Sequence, residues 1–589
     1  MNYTVKFFKE FGRNITYIKE LNNYFEVSED LAEKSCRMSR EELLQFVKEH
    51  REQDYDKFVK LTESRDTLQN EEHISYEKDN DRYTLCIHPS RKCNLACKYC
   101  FGEEDHLVKE EISFEVIKDA IDFLIYQYGK NGRQYFIDLS GSGEPLLRFD
   151  IIKQIEAYAD EKRNELGKDV VLMFCTNATL VDKEKADYLK SRPRILLGVS
   201  IDGNESQNVN RVYKNEKQVY EDVMRGITYL APKPLGLAVT VTKENENVDE
   251  IFDSLYQIPN CDCISIQNVR NFTDGEQSFY NVDHENVFRH YEKLLNNMYE
   301  HIEQGDYEYF NKLIKGADTL GGYIQKAFFK GKLNQYRCDG GKSRLVVDDK
   351  GNIYTCSVMN GCRDFYIGNI YSGIDEDKKR KYARAVDNTS SRCAECWAAY
   401  ICSGECSAVS YYTHGELYEP NEKLCTYRQR LIRLAIGFWV HLETNYPQKY
   451  KELKELIINV AGFETSDSGV WAVFTLLKIL GKDPQYSDVI CNLERGNRGA
   501  HPSVVEKFLS ENIGEYGIYQ VDDSEVLKDI DKPFIVWMNK IHAQFYEYCV
   551  VVSQDDTNIC FRINGVNDLL TEKKSNFLQN IGDVIICRE

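Results

Sequence analysis

The chain has 589 residues, too many for one ordinary domain; roughly 150 residues per domain suggests three or four. With 95 acidic against 75 basic side chains the formal charge is -20, which excludes a nucleic-acid or anionic-membrane surface except as a local patch and favours a basic peptide partner. No stretch approaches the roughly 18 apolar residues of a membrane helix, and the N-terminal "MNYTVKFFKEFGRN" has no apolar run behind its basic residues, so a soluble, cytoplasmic protein is expected. Twenty cysteines in such a chain point to metal or redox chemistry rather than disulfides.

In residues 1–80, β-type runs, "YTVKFF" and "NITYIKELNNYFEVS", precede a charged helical stretch from Ser39; a short hairpin and a helix are expected, a small N-terminal adaptor. From about 82 the texture changes. The runs "RYTLCIH", "QYFIDLS", "VVLMFC", "RILLGVSI", "LGLAVTVT" and "CISIQNV" alternate with amphipathic segments such as "SFEVIKDAIDFLIYQYG". Six βα units predict an α/β fold over 81–300, a parallel sheet curled into a partial (β/α)6, TIM-like barrel, with its reactive loops at the C-terminal strand ends. Helices and then a cysteine-rich region fill 301–447, and "TNYPQK" marks a boundary near 447. Residues 455–589 have their own helix-then-strand pattern and read as an independent α+β domain.

The loop after the first strand, "RKCNLACKYCFG", places Cys93, Cys97 and Cys100 within eight residues. A structural zinc site normally closes with four ligands in paired knuckles, which C-x3-C-x2-C without a nearby fourth His or Cys does not supply. A cubane iron–sulfur cluster held by three thiolates fits better, because one iron stays free to bind something else. Residues 82–445 resemble the radical SAM superfamily, in which this loop holds a [4Fe-4S] cluster and S-adenosylmethionine chelates the open iron. The resemblance implies that an electron from the reduced cluster cleaves the sulfonium, giving a 5'-deoxyadenosyl radical that abstracts a substrate hydrogen, with the three cysteines as catalytic ligands. Tyr99 matches the aromatic position lining the adenine pocket. "SGSGEPLL" matches Gly-Gly-Glu-Pro with Ser142 for the first glycine, so Gly143 and Glu144 are expected to meet the amino group of S-adenosylmethionine. "CTNATLV" matches Thr-Asn-Gly, keeping Asn177 and replacing the glycine by Ala178. "VSIDG" supplies Ser200 and Asp202 for the ribose and its surroundings, and Arg211 sits where the family often holds the carboxylate. Each motif alone is an ordinary turn or strand end; in order after successive strands they are specific.

Downstream, Cys338, Gly351 and Cys356 precede C-x2-C-x5-C-x3-C at Cys393, Cys396, Cys402 and Cys406, and Cys425 closes the series. Paired thiols on short turns converge on a metal. Seven in this order resemble the SPASM domain, the auxiliary-cluster extension of radical SAM peptide modifiers. The resemblance implies one [4Fe-4S] cluster on Cys393, Cys396, Cys402 and Cys425 and another on Cys338, Cys356 and Cys406, three clusters in all. The last set is one ligand short: Cys362 completes it, or the site stays open to a substrate thiolate, which iron would deprotonate and orient. Both options stand. Cys36, Cys86, Cys175, Cys261, Cys263, Cys491, Cys549, Cys560 and Cys587 fall outside the patterns and read mostly as small apolar residues.

"TSDSGVWAVFTLLKILGK", residues 465–482, resembles the start of the papain-like peptidase domain that removes double-glycine leaders from bacteriocins, whose cysteine nucleophile sits at a helix N-terminus where the dipole favours the thiolate. Here Ser468 takes the cysteine position. Further on, Tyr548 stands at the histidine position and Asn564 at the aspartate. With the triad lost, proteolysis is not expected; a new pair of His542 and Cys549 is a weaker reading. A degenerate peptidase that keeps its groove remains a peptide binder, so this pseudo-peptidase domain is expected to grip the leader of a ribosomally made precursor. The N-terminal 80 residues are the rival, since relatives often carry a small winged-helix module there.

The whole resembles maturases of Cys-rich peptides, of sactipeptide or ranthipeptide type, which join a cysteine sulfur to a carbon of another residue. The expected partners are a Cys-rich precursor with its leader and an electron donor such as flavodoxin or ferredoxin. Three alternatives stand beside it: carbon–carbon crosslinking of a peptide, anaerobic sulfatase maturation to formylglycine, and a non-catalytic peptide-binding scaffold. Sulfatase-maturing enzymes typically carry an Asp after the thiol corresponding to Cys356, where this chain has Ser357. The intact loop of three thiols speaks against a scaffold.

Overall fold

The computed structural model describes residues 2–29, 31–70, 81–103, 110–270, 281–316, 319–389, 392–402, 404–462, 468–495, 499–538, 547–564, 568–581 and 583–589. At the N-terminus β1 (Asn2–Glu10), β2 (Arg13–Ile18), β3 (Asn23–Val27) and β4 (Lys34–Ser39) form an antiparallel sheet in the order β3-β2-β1-β4. The helices Arg40–His50 and Tyr55–Asn70 follow. Tyr3, Val5 and Phe7 pack with Leu43, Val47 and Phe58 of these helices, while Phe8, Ile15, Tyr17 and Tyr24 point into the main core. The rings of Tyr17 and Phe8 lie 5.7 and 6.1 Å from that of Trp397. The expected hairpin with one helix is thereby corrected to four strands with two helices. Both of its faces carry apolar side chains and both are buried.

Six parallel strands follow: β5 (Arg82–Ile87), β6 (Gln134–Asp138), β7 (Asp169–Thr176), β8 (Ile195–Ser200), β9 (Leu235–Val241) and β10 (Cys261–Asn268), paired in chain order. They occupy the six runs expected from the alternation of β-branched and amphipathic segments. Leu85, Ile137, Leu172, Leu197, Leu237 and Ile264 are buried in the main core; their neighbours Cys175, Gly198, Ser200, Gly236 and Ala238 turn to the opposite face, as the period of two requires.

At the other edge β11 (Arg344–Val347) lies parallel to β5, with Arg344 opposite Thr84, and β12 (Asn352–Tyr354), β13 (Tyr366–Asn369) and β14 (Gly373–Ile374) continue antiparallel to make ten strands. The cysteine-rich region therefore shares the barrel's own sheet. Pro447 opens the helix Pro447–Gly462 just after the helix Glu422–Asn445, as its fixed φ favours. Leu453 and Ile457 of that second helix join the main core, so the C-terminal unit begins later than the break near 447 suggests.

That unit places the helices Ser468–Ile479, Tyr486–Asn492 and Pro502–Ile513 against a six-stranded antiparallel sheet. Its strands are β15 (Tyr516–Gln520), β16 (Phe534–Trp537), β17 (Tyr548–Gln554), β18 (Asn558–Ile563), β19 (Leu570–Lys573) and β20 (Val584–Arg588), in the order β15-β20-β16-β17-β18-β19. Arg133 pairs with Glu547 at 2.8 Å, Asn164 bonds Gln485 and the Tyr486 amide, and a Cβ on Gly167 (φ +64°) would fall 2.9 Å from the Phe474 ring. These barrel residues all precede β6 or β7, so the unit docks at the N-terminal strand ends, opposite the loop of three thiols. Among the described residues no helix is long and apolar enough to cross a membrane.

Candidate active site

The loop that leaves β5 is laced to three others at the C-terminal strand ends. Ala96 N donates to Val212 O at 2.8 Å and Lys98 N to Asn210 O at 3.0 Å, while Glu144 N donates to Lys92 O at 2.8 Å. Asn94 sits between the first two cysteines; it donates to Thr179 Oγ1 at 2.8 Å and accepts from Asn177 Nδ2 at 2.9 Å. Gly143 has φ +81°, and a Cβ there would fall 2.2 Å from Ser90 O, so this glycine lets the loops after β5 and β6 close together. Ala178 keeps a left-handed φ of +57°, which is why the pattern favours glycine at that position.

The carboxylate of Glu144, 2% exposed, accepts from Leu146 N at 3.0 Å, Thr176 Oγ1 at 2.6 Å and Asn177 N at 2.8 Å. Burial pushes its pKa up, against the opposing pull of those hydrogen bonds and of Arg211. A carboxylate offers about four acceptor sites, so three go to the loops after β6 and β7 and one is left for a ligand. Tyr99 donates to Asp202 at 2.5 Å and accepts from Arg211 at 2.8 Å, and the other oxygen of Asp202 accepts from Thr240 N at 2.9 Å. Burial raises the pKa of Asp202, opposed first by Arg211. Ser200 and Cys175 are 3.2 Å apart, side chain to side chain. The residues expected to surround S-adenosylmethionine thus lie on adjoining loops, with the Tyr99 hydroxyl joining the thiol loop to those after β8. Asn94, Thr179 and Thr240 were not legible as site residues, though the place of Asn94 inside the C-x3-C run hints at it; Thr176 is the threonine of the Thr-Asn-Gly match, but only the structure gives it Glu144 as a partner.

The donor set at the loop is wholly thiol. Leu95 N lies 3.4 Å from Cys93 Sγ and Gly102 N 3.3 Å from Cys100 Sγ, contacts that suit sulfurs carrying negative charge. Burial pushes the Cys93 thiol up to about 11, a cost that bound iron would offset. Among the described residues no three His, Cys, Asp or Glu side chains converge on a point fit for a single ion; a cluster, in which each thiolate takes its own iron, does not need such a point. These residues fit an iron–sulfur cluster.

The later thiols fall into two groups. Cys338, Cys356, Cys362 and Cys406 pack against one apolar cluster that includes Val358, Met359 and Phe365, and burial, then Cys406 and Cys338, push the Cys356 thiol up to about 12. Cys362 is hydrogen-bonded to Tyr411, whose hydroxyl also donates to Asp364 at 2.9 Å. Burial and then Cys402 push Cys425 up to about 11, with Cys393 and Cys396 adding to it. Cys86, expected as an apolar core residue, has a polar partner: Arg344 reaches its sulfur at 3.2 Å and Asp138 at 3.3 Å, clamping β11 to β5 and β6.

In the C-terminal unit Ser468, Tyr548 and Asn564 are all buried. Ser468 Oγ accepts from Tyr548 N at 3.0 Å and faces Tyr548 O at 3.4 Å, while the Tyr548 hydroxyl donates to Ala500 O at 2.6 Å. The serine is spent on backbone and is no free nucleophile. Cys549 packs on the opposite face of the sheet, and His542 lies outside the described residues.

Residues 87–255 match the model of the Radical SAM superfamily. An uncharacterised protein of Methanocaldococcus jannaschii is 26% identical over 287 residues, 49% of this chain and 88% of its own length. The cysteine-type anaerobic sulfatase-maturating enzyme of Clostridium perfringens is 21% identical over 363 residues, 55% of this chain and 88% of its own. The solved structure of anSMEcpe with bound AdoMet shares the fold at a TM-score of 0.53 and 16% identity, over 64% of this chain and 99% of that one.

Proposed function

We propose that this protein is a radical SAM maturase that installs thioether crosslinks, cysteine sulfur to carbon, in a ribosomally made Cys-rich precursor peptide. The observation that carries the reading is the division of the motif cysteines into one group on the barrel loop and two in the region fused to its sheet edge. Cys93, Cys97 and Cys100 would hold the cluster that, with S-adenosylmethionine, supplies a 5'-deoxyadenosyl radical. The last acceptor site of Glu144 would receive the ammonium of S-adenosylmethionine, with Gly143 leaving room for it to approach. Gly198, Gly236 and Ala238 leave the inner face of the barrel open to a peptide. Cys338, Cys356 and Cys406 would hold a second cluster, completed by Cys362 or by a substrate thiolate, and Cys393, Cys396, Cys402 and Cys425 a third. A small low-potential protein such as flavodoxin or ferredoxin would deliver electrons.

The C-terminal unit, with its serine sealed, binds the leader. It sits at the far end of the barrel, and β7 alone has 8 residues, roughly 26 Å at about 3.3 Å each. The segment joining leader to core must therefore span at least that distance. Deleting this unit should raise the apparent KM for full-length precursor far more than for leaderless core; equal effects would rule out leader binding.

The decisive assay is tandem mass spectrometry of a Cys-rich peptide encoded beside this protein, after anaerobic incubation with reconstituted enzyme, S-adenosylmethionine and reductant. Loss of two hydrogens per blocked cysteine supports thioether formation. The same loss with every thiol still alkylatable moves the reading to carbon–carbon crosslinks. Formylglycine maturation is the second reading, favoured by the clostridial relative and opposed by Ser357.

A further inference from the structure

Gln429 lies one helical turn beyond Cys425 on the helix Glu422–Asn445, so the two side chains share a face. Its amide nitrogen is 3.5 Å from Cys396 Sγ, and its amide oxygen accepts from Trp397 Nε1 at 3.2 Å. The two ends of an amide have nearly the same shape, but an indole N–H can only donate. Trp397 therefore selects the amide oxygen and turns the NH2 group toward the sulfur. The indole is itself fixed, 7% exposed and packed by Phe8 and Tyr17 of the N-terminal sheet. The chain thus commits two side chains to aiming one N–H dipole at one thiol of the Cys393, Cys396, Cys402 and Cys425 group.

We propose that Gln429, oriented by Trp397, is a positioning donor that raises the reduction potential of the metal group held by Cys393, Cys396, Cys402 and Cys425. This rests on the reading of those four thiols as an iron–sulfur site. Taking up one electron from a low-potential donor makes the cluster and its thiolates more negative, and an N–H dipole pointed at a sulfur stabilises that reduced form. Lys19 also lies near Cys396 and is left unchanged in every variant below, so its effect cancels. The N-terminal sheet acquires a role by the same argument, because its aromatic residues hold the indole that holds the amide.

The test uses full-length protein reconstituted anaerobically, as wild type, Gln429→Leu, Gln429→Glu, Trp397→Phe and Cys396→Ala, with iron content and an EPR-monitored potentiometric titration as readouts. Cys396→Ala identifies the signal that belongs to this site. At a fixed poise Gln429→Leu should lower the reduced-to-oxidised ratio of that signal about tenfold, which is about 59 mV for a one-electron couple, with iron content and the other signals unchanged. Gln429→Glu, which puts an oxygen before the sulfur, should shift it further the same way. Trp397→Phe keeps the packing and frees the amide to flip, and should give a smaller shift of the same sign; it also keeps the question open to measurement if the Gln429 variants lose iron. An unmoved midpoint in Gln429→Leu at full iron content overturns the proposal. Unchanged iron and an unchanged spectrum in Cys396→Ala would instead defeat the assignment of the four thiols.

Discussion

The loop after β5 and the start of the helix Ser468–Ile479 each place a side chain suited to chemistry at the end of a regular element, and they differ in how the surroundings use it. Around Cys93, Cys97 and Cys100 the loop's own Lys92, Asn94, Ala96 and Lys98 tie it to its neighbours, while N–H groups of Leu95, Gly102 and the Asn177 side chain face the sulfurs of Cys93 and Cys100. At Ser468 the hydroxyl is itself taken up by the backbone of Tyr548. The first region is fixed so that its sulfurs stay available; at the second the hydroxyl serves the packing of the unit. On the proposed function the helix end belongs to a leader-binding surface and the thiol loop to the chemistry, and this contrast is why the two regions are assigned different tasks.

The sharpest way to break this contrast is to make the same kind of substitution in each. Cys97→Ala should reduce 5'-deoxyadenosine formation, measured anaerobically with dithionite, to the level without protein, and Ser468→Ala should leave it unchanged. Loss of activity in the serine variant would end the distinction. Arg133→Ala leaves Glu547, with a side chain 7% exposed, without its partner; opening of the C-terminal unit, read by hydrogen exchange, should become easier by on the order of 3 kcal/mol. In the same assay Ser468→Ala should cost about 1–3 kcal/mol, because the buried Tyr548 amide loses its acceptor.

Two smaller effects sharpen the picture of the barrel. Tyr99→Phe removes the hydroxyl shared by the buried Asp202 and Arg211 and should raise the apparent KM for S-adenosylmethionine on the order of tenfold. Ala178→Gly relieves a left-handed alanine and should add about 1 kcal/mol to stability in a denaturant titration, with cluster content unchanged.

The six βα units and the three thiols on the first loop are legible in the sequence, because periods of two and 3.6 and short cysteine spacings are written within single short windows, whereas the grouping of the later cysteines, whose members lie far apart in the chain, came only with the family resemblance. The Gly143 and Ala178 positions belong with the legible features, since a left-handed turn leaves a local trace. What only the tertiary structure decided lies between distant windows. β11 joins β5 across more than 250 residues of chain, Arg344 takes Cys86 as its partner, the N-terminal sheet buries both faces against elements far downstream, and Gln429 meets Cys396 through the indole of Trp397. The docking of the C-terminal unit at the end of the barrel away from the thiols is of the same kind. Such contacts depend on which surfaces meet once the chain closes on itself, and neither propensity nor spacing carries that information.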